Sequence, residues 1–259
     1  MPPDRGARVP DEEVSLHGGM RAAAGAASLL AAVGLAGPCA AAPAEGEVLA
    51  ALVTHRVVVM GERHGFAPGR ALFGRIAAEA GRRFPGTVVG LEIPADRQPL
   101  LDRLGAGPVP PALLPRVIGT PSYRDLLLAL GRQARGGGLR LVALDLPWGR
   151  RGDRDAFMAS RVLRVLAEGA PRAVVLVGNL HALAAADRLG GRLRAAGVAC
   201  FLVGTLPGEG SARWGGPGGG GYEALTARLR ALLPPRLPPG RELDAVVSWA
   251  APARKTARR

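Results

Sequence analysis

Two histidines of the chain each follow a glycine by three residues, and a strand-like run carries a glutamate nearby. Gly61 precedes His64 and Gly178 precedes His181, while Glu92 interrupts an otherwise apolar stretch. Two imidazoles with carboxylates suit a divalent cation such as Zn, Mn or Fe. They equally supply metal-free general acid and base pairs for hydrolysis. Both glycines are supporting residues in this interpretation, because glycine lets a backbone turn sharply or approach a ligand closely.

Each of these polar residues stands beside a short run rich in β-branched and other apolar residues, which is typical of a strand. Longer stretches with helical spacing separate the runs. This alternation predicts an α/β fold, with a mostly parallel central sheet and helices on both faces, in a single domain. The strands expected next to the polar residues cover 56–60, 87–91, 139–144 and 173–177.

The polar side chains all follow the carboxyl ends of these four strands. Glu62 and His64 follow the first strand, Glu92 the second, Asp145 the third and His181 the fourth. In open parallel sheets, the carboxyl ends of the strands form the crevice in which ligands bind. The sequence therefore predicts one crevice that contains all five residues, with Asp145 in a supporting role.

The second half of the chain completes the predicted sheet. We expect a helix over 182–196, a strand over 198–203 and a mobile glycine-rich loop over 208–221. A further helix and an edge strand over 244–249 precede a basic tail. The glycine-rich loop contains no lysine, so it does not match a phosphate-binding loop of the Walker type.

The charge balance raises the question of a polyanionic partner. The formal net charge is +13, which is typical of proteins that bind nucleic acid or anionic membranes. However, Lys255 is the only lysine, and the arginines are not interleaved with the aromatic residues that stack on single strands. The composition therefore argues against nucleic acid and favours a small-molecule or peptide ligand. A homodimer remains open.

The amino-terminal segment has the organisation of an export signal. Residues 1–19 form a polar extension that is either disordered or upstream of the true start. A basic start, an apolar run and small residues follow over 20–44, which predicts a signal peptide cleaved near Ala42. The domain then covers 45–250, and 251–259 form a disordered tail. We therefore expect an exported protein that is periplasmic, membrane-associated or secreted.

Two alternatives to a cleaved signal involve the membrane. A lipid-modified Cys39 would anchor the chain, although Pro38 is unfavourable at a processing site. An uncleaved signal would also anchor it, although the run is rich in Ala and Gly rather than strongly apolar. If Cys39 is removed, Cys200 has no cysteine to pair with and is expected to be a buried, inert thiol.

The residues of the predicted crevice resemble those of the Tiki/TraB superfamily, which includes ChaN-like haem-uptake proteins and erythromycin-esterase-like hydrolases. The segments that carry the resemblance are VVVMGERHG (57–65), VVGLEIP (88–94), LVALD (141–145), RGDRDAFMASRVL (151–163) and VVLVGNLHA (174–182). The chain looks most similar to the bacterial ChaN-like branch. The resemblance implies site positions at Glu62, His64, Glu92 and His181.

The resemblance also brings Arg154 and Asp155, at the start of a helix, to the border of the crevice. It implies two functions. The first is an exported protein that binds haem or a divalent metal, with His64, His181 and Tyr123 as candidate haem ligands; Tyr123 and Tyr222 are the only tyrosines.

The second implied function is a metal-dependent peptidase or esterase. In this hypothesis His64, Glu92 and His181 hold the cation, Glu62 is the general base and Arg154 stabilises developing negative charge.

Overall fold

The computed structural model describes residues 44–114, 118–232 and 242–250. In these residues a seven-stranded sheet is covered by helices on both faces, which confirms the predicted α/β architecture. The strands are β1 (Val57–Glu62), β2 (Thr87–Pro94), β3 (Leu139–Asp145), β4 (Ala173–Gly178), β5 (Cys200–Leu206), β6 (Ser211–Gly215) and β7 (Ala245–Ala250). The helices are α1 (Ala44–Thr54), α2 (Ala67–Arg83), α3 (Gln98–Leu101), α4 (Pro121–Arg135), α5 (Arg154–Ala167), α6 (Leu189–Ala195) and α7 (Gly220–Ala231).

The order of the strands brings the polar strand ends together. The sheet runs β3-β2-β4-β1-β5-β7-β6, and every neighbouring pair is parallel except β6 with β7. The four strands followed by polar residues are therefore contiguous. β4 lies between β2 and β1, and its uniformly apolar sequence suits a strand buried on both faces. The register places Glu62 directly beside Gly178.

Two apolar layers hold the helices against the sheet. α1, α2 and α4 pack on one face, and α5, α6 and α7 pack on the other. α2 turns Phe73 and Ile76 towards the sheet, and α5 turns Met158 and Val162 towards the opposite face at helical spacing. The burial of these apolar side chains fixes where each helix begins, and so where the residues at its first turn lie.

The helix predicted over 182–196 is shorter in the structure, where α6 covers only its second half. Residues 182–188 form turns that fold back onto α6. The amides of Gly190 and Gly191 donate to carbonyl oxygens of this segment and of His181. Both glycines lie too close to these carbonyl groups to accept a Cβ atom. The two glycines therefore permit a compact turn where helical spacing predicted a longer helix.

The predictions for the carboxyl-terminal edge of the sheet were wrong in two places. The stretch 208–221, predicted as a loop, contains β6 and the start of α7. β7 is not the edge strand, because β6 pairs with it in antiparallel register, Trp214 opposite Val247. Trp214 also stacks on Phe201, with ring centroids 6.0 Å apart. Apolar contacts of Trp214 stabilise β6, although the glycine-rich sequence around β6 predicted a loop.

The predicted signal segment over 20–44 lies outside the described residues except for Ala44, which begins α1. Cys39, the polar extension and the basic tail also lie outside them. α1 was not predicted, and its residues Val48 and Leu52 are buried in the core. Cys200 is free and buried. None of the helices in the described ranges is long and apolar enough to cross a membrane.

Candidate active site

Glu62 is the last residue of β1 and forms a buried ion pair. Its carboxylate accepts two hydrogen bonds from Arg70, at 2.8 Å from Nε and 2.8 Å from Nη2. Arg70 is 1 % exposed and Glu62 is 6 % exposed. Both charges are thus removed from water and satisfied by the bidentate geometry that suits a guanidinium and a carboxylate. Burial acts to raise the pKa of Glu62, but the hydrogen bonds from Arg70 and His64 outweigh it and leave that pKa below its ordinary value.

Arg70 reaches Glu62 because it lies in the first turn of α2, on the face that packs against the sheet. Its remaining nitrogen, Nη1, contacts the hydroxyls of Thr120 and Ser122 at the start of α4. The guanidinium also stands 4.8 Å above the ring of Tyr123. Contacts with β1 and with the start of α4 hold Arg70, and through it Glu62, in one position.

His64 is oriented by the same carboxylate. Its Nδ1 lies 3.0 Å from Glu62 Oε1, and its side chain is 28 % exposed. Nε2 points away from Glu62, towards Gly178, where a Cβ atom would lie 3.4 Å from it. The carboxylate therefore favours the tautomer with a proton on Nδ1 and a lone pair on Nε2.

His181 has an equivalent partner from a different part of the chain. Its Nδ1 lies 2.8 Å from Oδ1 of Asp155, the second residue of α5. The same oxygen accepts the backbone N–H of Leu189 at 2.8 Å, and Arg188 lies 3.7 Å from the other oxygen. The His181 ring edge also faces Gly178, where a Cβ would lie 3.7 Å from Cδ2. The two imidazoles therefore meet over one glycine.

Glu92 and Asp145 share the guanidinium of Arg154. Arg154 donates two hydrogen bonds to Asp145, at 2.8 and 2.7 Å, and one to Glu92 Oε1 at 2.7 Å. Glu92 Oε2 accepts the amide of Gly178 at 2.8 Å, and His181 Nε2 lies 3.7 Å from Glu92 Oε1. Hydrogen bonds to Asp145 raise the pKa of Arg154, although burial opposes them. Arg154, which was expected to border the crevice, thus forms a hydrogen-bonded network with Asp145 and Glu92.

The crevice opens beside His64 into a cavity of about 560 Å³. Its walls come from the strand ends and from the loop between β3 and α5. The residues that line it are His64, Glu92, Pro94, Ile118, Asp145, Leu146, Pro147, Trp148, Gly149, Arg150, Arg151, Gly152 and Arg154. A substrate entering this cavity would reach His64 and Arg154 directly.

Four predicted residues lie at Gly178, whereas Gly61 and Tyr123 lie elsewhere. The four are Glu62, His64, Glu92 and His181. Hydrogen bonds join Arg154 and Asp145 to Glu92, and Asp155 to His181. Gly61 packs against Asn179 instead, with only 2.5 Å between its Cβ position and Asn179 Oδ1. Tyr222 donates its hydroxyl to the carbonyl of Leu243 within the opposite layer.

Tyr123 lies beneath Arg70 and does not line the cavity. It is buried, and its hydroxyl has no hydrogen-bond partner among the described residues. Burial, together with the negative charges of Glu62 and Glu92, raises the pKa of this hydroxyl. The residue therefore does not fit the role of an axial haem ligand.

The predicted metal ligands are engaged in other contacts. Within the described part of the chain, no group of three or more His, Cys, Asp or Glu side chains is arranged to hold a metal ion. His181 Nδ1 contacts Asp155, and Glu92 faces the guanidinium of Arg154, whose charge would repel a cation. As arranged, His64, Glu92 and His181 do not fit a common metal.

Sequence reasoning missed Arg70 and the cavity wall formed by Trp148, Arg150 and Arg151. Arg70 could have been found, because helical spacing places it on the same face as Phe73 and the apolar residues that follow. A charged residue on such a face needs a buried partner. The wall residues lie in an irregular loop, for which periodicity gives no signal.

Comparisons with known proteins support the fold. No protein-family model matches the chain, and no curated protein matches it by sequence. The structure of the type III effector HopBA1 is similar, with a TM-score of 0.54 and 13 % identity, covering 80 % of this chain and 94 % of that one.

Two further structures are more distant. ChaN of Campylobacter jejuni, whose structure describes cofacial heme binding, has a TM-score of 0.48 and 10 % identity over 80 % of this chain and 92 % of that one. RRSP, a MARTX toxin effector domain from Vibrio vulnificus, has a TM-score of 0.39 and 25 % identity over 54 % and 31 %. Membership of the Tiki/TraB superfamily stays a prediction.

Proposed function

We propose that the crevice hydrolyses an ester or amide bond by general acid–base catalysis without a bound metal. One observation carries this proposal. Both imidazoles have Nδ1 held by a carboxylate, and both rings face the space above Gly178. A carboxylate-oriented imidazole is the recurring device by which proteins accept and return a proton at a reacting group.

His64 is the base in this scheme. Glu62 stays ionised, because Arg70 and His64 lower its pKa, and it holds the imidazole with Nε2 unprotonated. Nε2 takes a proton from water, and the water oxygen forms a bond to the acyl carbon. His64 is the more exposed of the two rings and lines the cavity from which water and substrate enter.

His181 is the acid. Its Nδ1 is held by Asp155 at 2.8 Å, and its Nε2 lies 3.7 Å from Glu92 Oε1. When the acyl bond to the leaving oxygen or nitrogen breaks, His181 donates a proton to that atom. The proton that His64 gained then returns to solvent, and His181 takes up a proton from solvent, which restores both rings. Atoms and charges balance, with one water consumed and two products released.

Arg154 would stabilise the negative charge that develops on the carbonyl oxygen. Its guanidinium lines the cavity, and its position is fixed by Asp145 and Glu92 before substrate arrives. Preorganised positive charge of this kind acts without reorganisation during the reaction.

The first experiment measures hydrolysis of 4-nitrophenyl acetate and of chromogenic peptide anilides by residues 43–259. We expect His64→Gln to lower kcat about 10²- to 10⁴-fold, which is the usual contribution of a general base. His55→Gln is the matched control, because His55 precedes β1 at the opposite end of the strand, where it contacts Ala51 and Thr54 of α1 and the ring of Phe201.

Two results would contradict the proposal. The first is wild-type protein that cleaves neither an ester nor an anilide faster than buffer. The second is a His64→Gln variant as active as wild type. Dialysis of the protein against a chelator distinguishes metal-free from metal-dependent hydrolysis. We expect the rate of hydrolysis to be unchanged after dialysis, whereas a metal-dependent enzyme would lose activity.

Haem binding is a second candidate, and the open side of His64 favours it. His64 lines a cavity that is also lined by Ile118, Trp148 and Arg150. These groups would serve as axial ligand, ring contacts and propionate partner. A haem titration by visible absorption tests it. A stoichiometric Soret shift that is lost in His64→Gln would support haem, whereas an unchanged spectrum would exclude it.

The predicted signal segment adds a proposed setting. Export would place the crevice in the periplasm, at a membrane or outside the cell. Fractionation of cells that express the full chain tests this proposal, and a product found only in the cytoplasm at full length would contradict it.

A further inference from the structure

The loop between β3 and α5, residues 146–153, forms the outer wall of the cavity and takes no part in the proton transfers proposed above. It carries Trp148, Arg150 and Arg151, all of which line the cavity. Trp148 is 70 % exposed, an unusual position for a large apolar ring. A wall that combines an exposed indole with two guanidinium groups needs a chemical explanation.

The loop is held in a defined shape. The amide of Trp148 donates to Asp96 Oδ1 at 3.0 Å, and the amide of Arg150 donates to the carbonyl of Pro147 at 3.0 Å. At its end, Asp153 caps α5 by accepting the amide of Ala156 at 2.9 Å. Backbone hydrogen bonds at its start, middle and end therefore present the side chains of this loop in one place.

Three arginines and two carboxylates among the described residues line the cavity, which leaves an excess of one positive charge. Glu92 and Asp145 are the carboxylates that line it, and both already share the guanidinium of Arg154. Arg150 and Arg151 are exposed, and neither forms a side-chain hydrogen bond or ion pair with another described residue. Two guanidinium groups thus face the cavity with all their donors available.

We propose that the substrate class of this site is an anionic acyl compound, an ester or amide that bears a carboxylate or phosphate group. This inference rests on the proposed hydrolysis. Arg150 and Arg151 bind the oxyanion through the planar fork that suits both groups. Trp148 packs against the apolar part between the anion and the scissile bond.

The kinetic test compares two esters that differ only in charge, 4-nitrophenyl hydrogen adipate and its neutral methyl ester. We expect wild-type kcat/KM to be about tenfold or more higher for the anionic ester, equivalent to about 1.4 kcal/mol. Arg150→Ala/Arg151→Ala should reduce that ratio to near one. The control Arg132→Ala/Arg228→Ala removes the same charge from the last turns of α4 and α7 and should keep the ratio.

A binding test is independent of turnover. Calorimetry measures the Kd of 3-phenylpropionate, phenyl phosphate and neutral 3-phenylpropionamide. We expect both anions to bind about tenfold or more tightly than the amide, and the difference to vanish in Arg150→Ala/Arg151→Ala. The relative affinities of the first two probes distinguish a carboxylate site from a phosphate site. Arg150→Lys/Arg151→Lys serves as a second test in case the alanine variant is poorly folded. It keeps both positive charges but not the planar fork, so it should retain part of the preference for anions.

The outcomes separate the two proposals. Equal cleavage of the two esters, with equal binding of anions and amide, overturns the substrate class and leaves hydrolysis standing. Anion preference in binding, lost in the double variant but without cleavage of either ester, overturns hydrolysis and supports the anion site. An equal loss of preference in the Arg132→Ala/Arg228→Ala control also overturns the substrate class, because overall charge would then explain it.

Discussion

The two imidazole–carboxylate pairs of the crevice use the same contact in different surroundings. His64 contacts Glu62, whose charge is compensated by Arg70 in a buried bidentate pair. His181 contacts Asp155, whose bonded oxygen is satisfied instead by the backbone amide of Leu189. One pair is therefore fixed by a buried salt bridge, and the other by the start of α6.

The two carboxylates therefore differ in how much they contribute to stability in addition to catalysis. Around His64, the carboxylate holds the catalytic ring and also neutralises a buried cation, so the same group serves both purposes. Around His181, the carboxylate of Asp155 accepts the backbone amide of Leu189, and the guanidinium of Arg188 lies 3.7 Å from it. The second ring also faces Glu92, whereas the first does not. Equal substitutions in the two pairs should therefore have unequal effects.

The largest expected effect comes from replacing each carboxylate by its amide. Both Glu62→Gln and Asp155→Asn should lower kcat by about 10²- to 10⁴-fold, because an amide no longer fixes the tautomer of His64 or the orientation of the His181 ring. Glu62→Gln should also lower the free energy of unfolding by about 3–5 kcal/mol, since Arg70 stays buried without its partner. Kinetics and urea unfolding measure both. Equal stability losses in the two variants would remove the proposed distinction.

Replacing the arginine beside each carboxylate also tests whether the first pair contributes more to stability than the second. Arg70→Met should lower the free energy of unfolding by about 3–5 kcal/mol, because it leaves Glu62 charged and buried. Arg188→Met should lower it by less than about 1 kcal/mol, because that ion pair is long and partly exposed. Adding Glu62→Gln to Arg70→Met should recover part of the loss. Failure to recover would place the defect in packing rather than charge.

The pH dependence of stability follows from the lowered pKa of Glu62. A carboxylate whose pKa is lower in the folded state contributes stability that is present above its unfolded value, 4.5, and is lost as pH falls through the folded value. Wild-type protein should therefore lose stability as the pH falls below 4.5, by about the contribution of this pair. In Arg70→Met, burial raises the pKa, so the Glu62 contribution changes sign.

Urea unfolding of wild type and Arg70→Met over this pH range measures the difference. The contribution of Glu79, whose pKa is lowered on the exposed surface by Arg83 and Arg82, is common to both proteins and cancels. Parallel pH profiles would contradict the assignment of the buried pair.

The smallest expected effects concern the two glycines. Gly61→Ala should lower the free energy of unfolding by about 1–3 kcal/mol, because its Cβ would lie 2.7 Å from the Cα of Asn179. Gly178→Ala should change stability by less than about 1 kcal/mol, since its nearest neighbour, His64 Nε2, is 3.4 Å away. That variant should instead lower kcat by crowding the rings. Thermal unfolding and kinetics of the two variants check this contrast.

The sequence brings the residues of the first pair closer together than those of the second, for a physical reason. Glu62 and His64 are two residues apart at one strand end, so their contact follows from local geometry. In the second glycine–histidine stretch, Asn179 occupies the equivalent position and binds the backbone of Thr205 on β5. The carboxylate comes instead from Asp155, which is brought near by the packing of α5, and spacing alone could not pair it with His181.

The same limit explains the rest of the fold. Strand and helix alternation predicted the parallel sheet, because apolar periodicity reports burial directly. β6 was missed because its pairing with β7 depends on contacts such as Trp214 with Phe201 rather than on its own composition. Arg70 was missed because its role depends on the ion pair with Glu62 on β1, which the pattern of its own helix does not show.

The most direct test of the central claim, that the two imidazoles act as one unit, is a double-mutant cycle of His64→Gln and His181→Gln. Hydrolysis of the 4-nitroanilide of adipic acid, whose leaving nitrogen must be protonated, is measured for wild type, both single variants and the double variant. If one ring accepts and the other donates within a single reaction, each single variant should lose about as much activity as the double variant. Independent, multiplicative losses, or a single variant with wild-type activity, would contradict the claim.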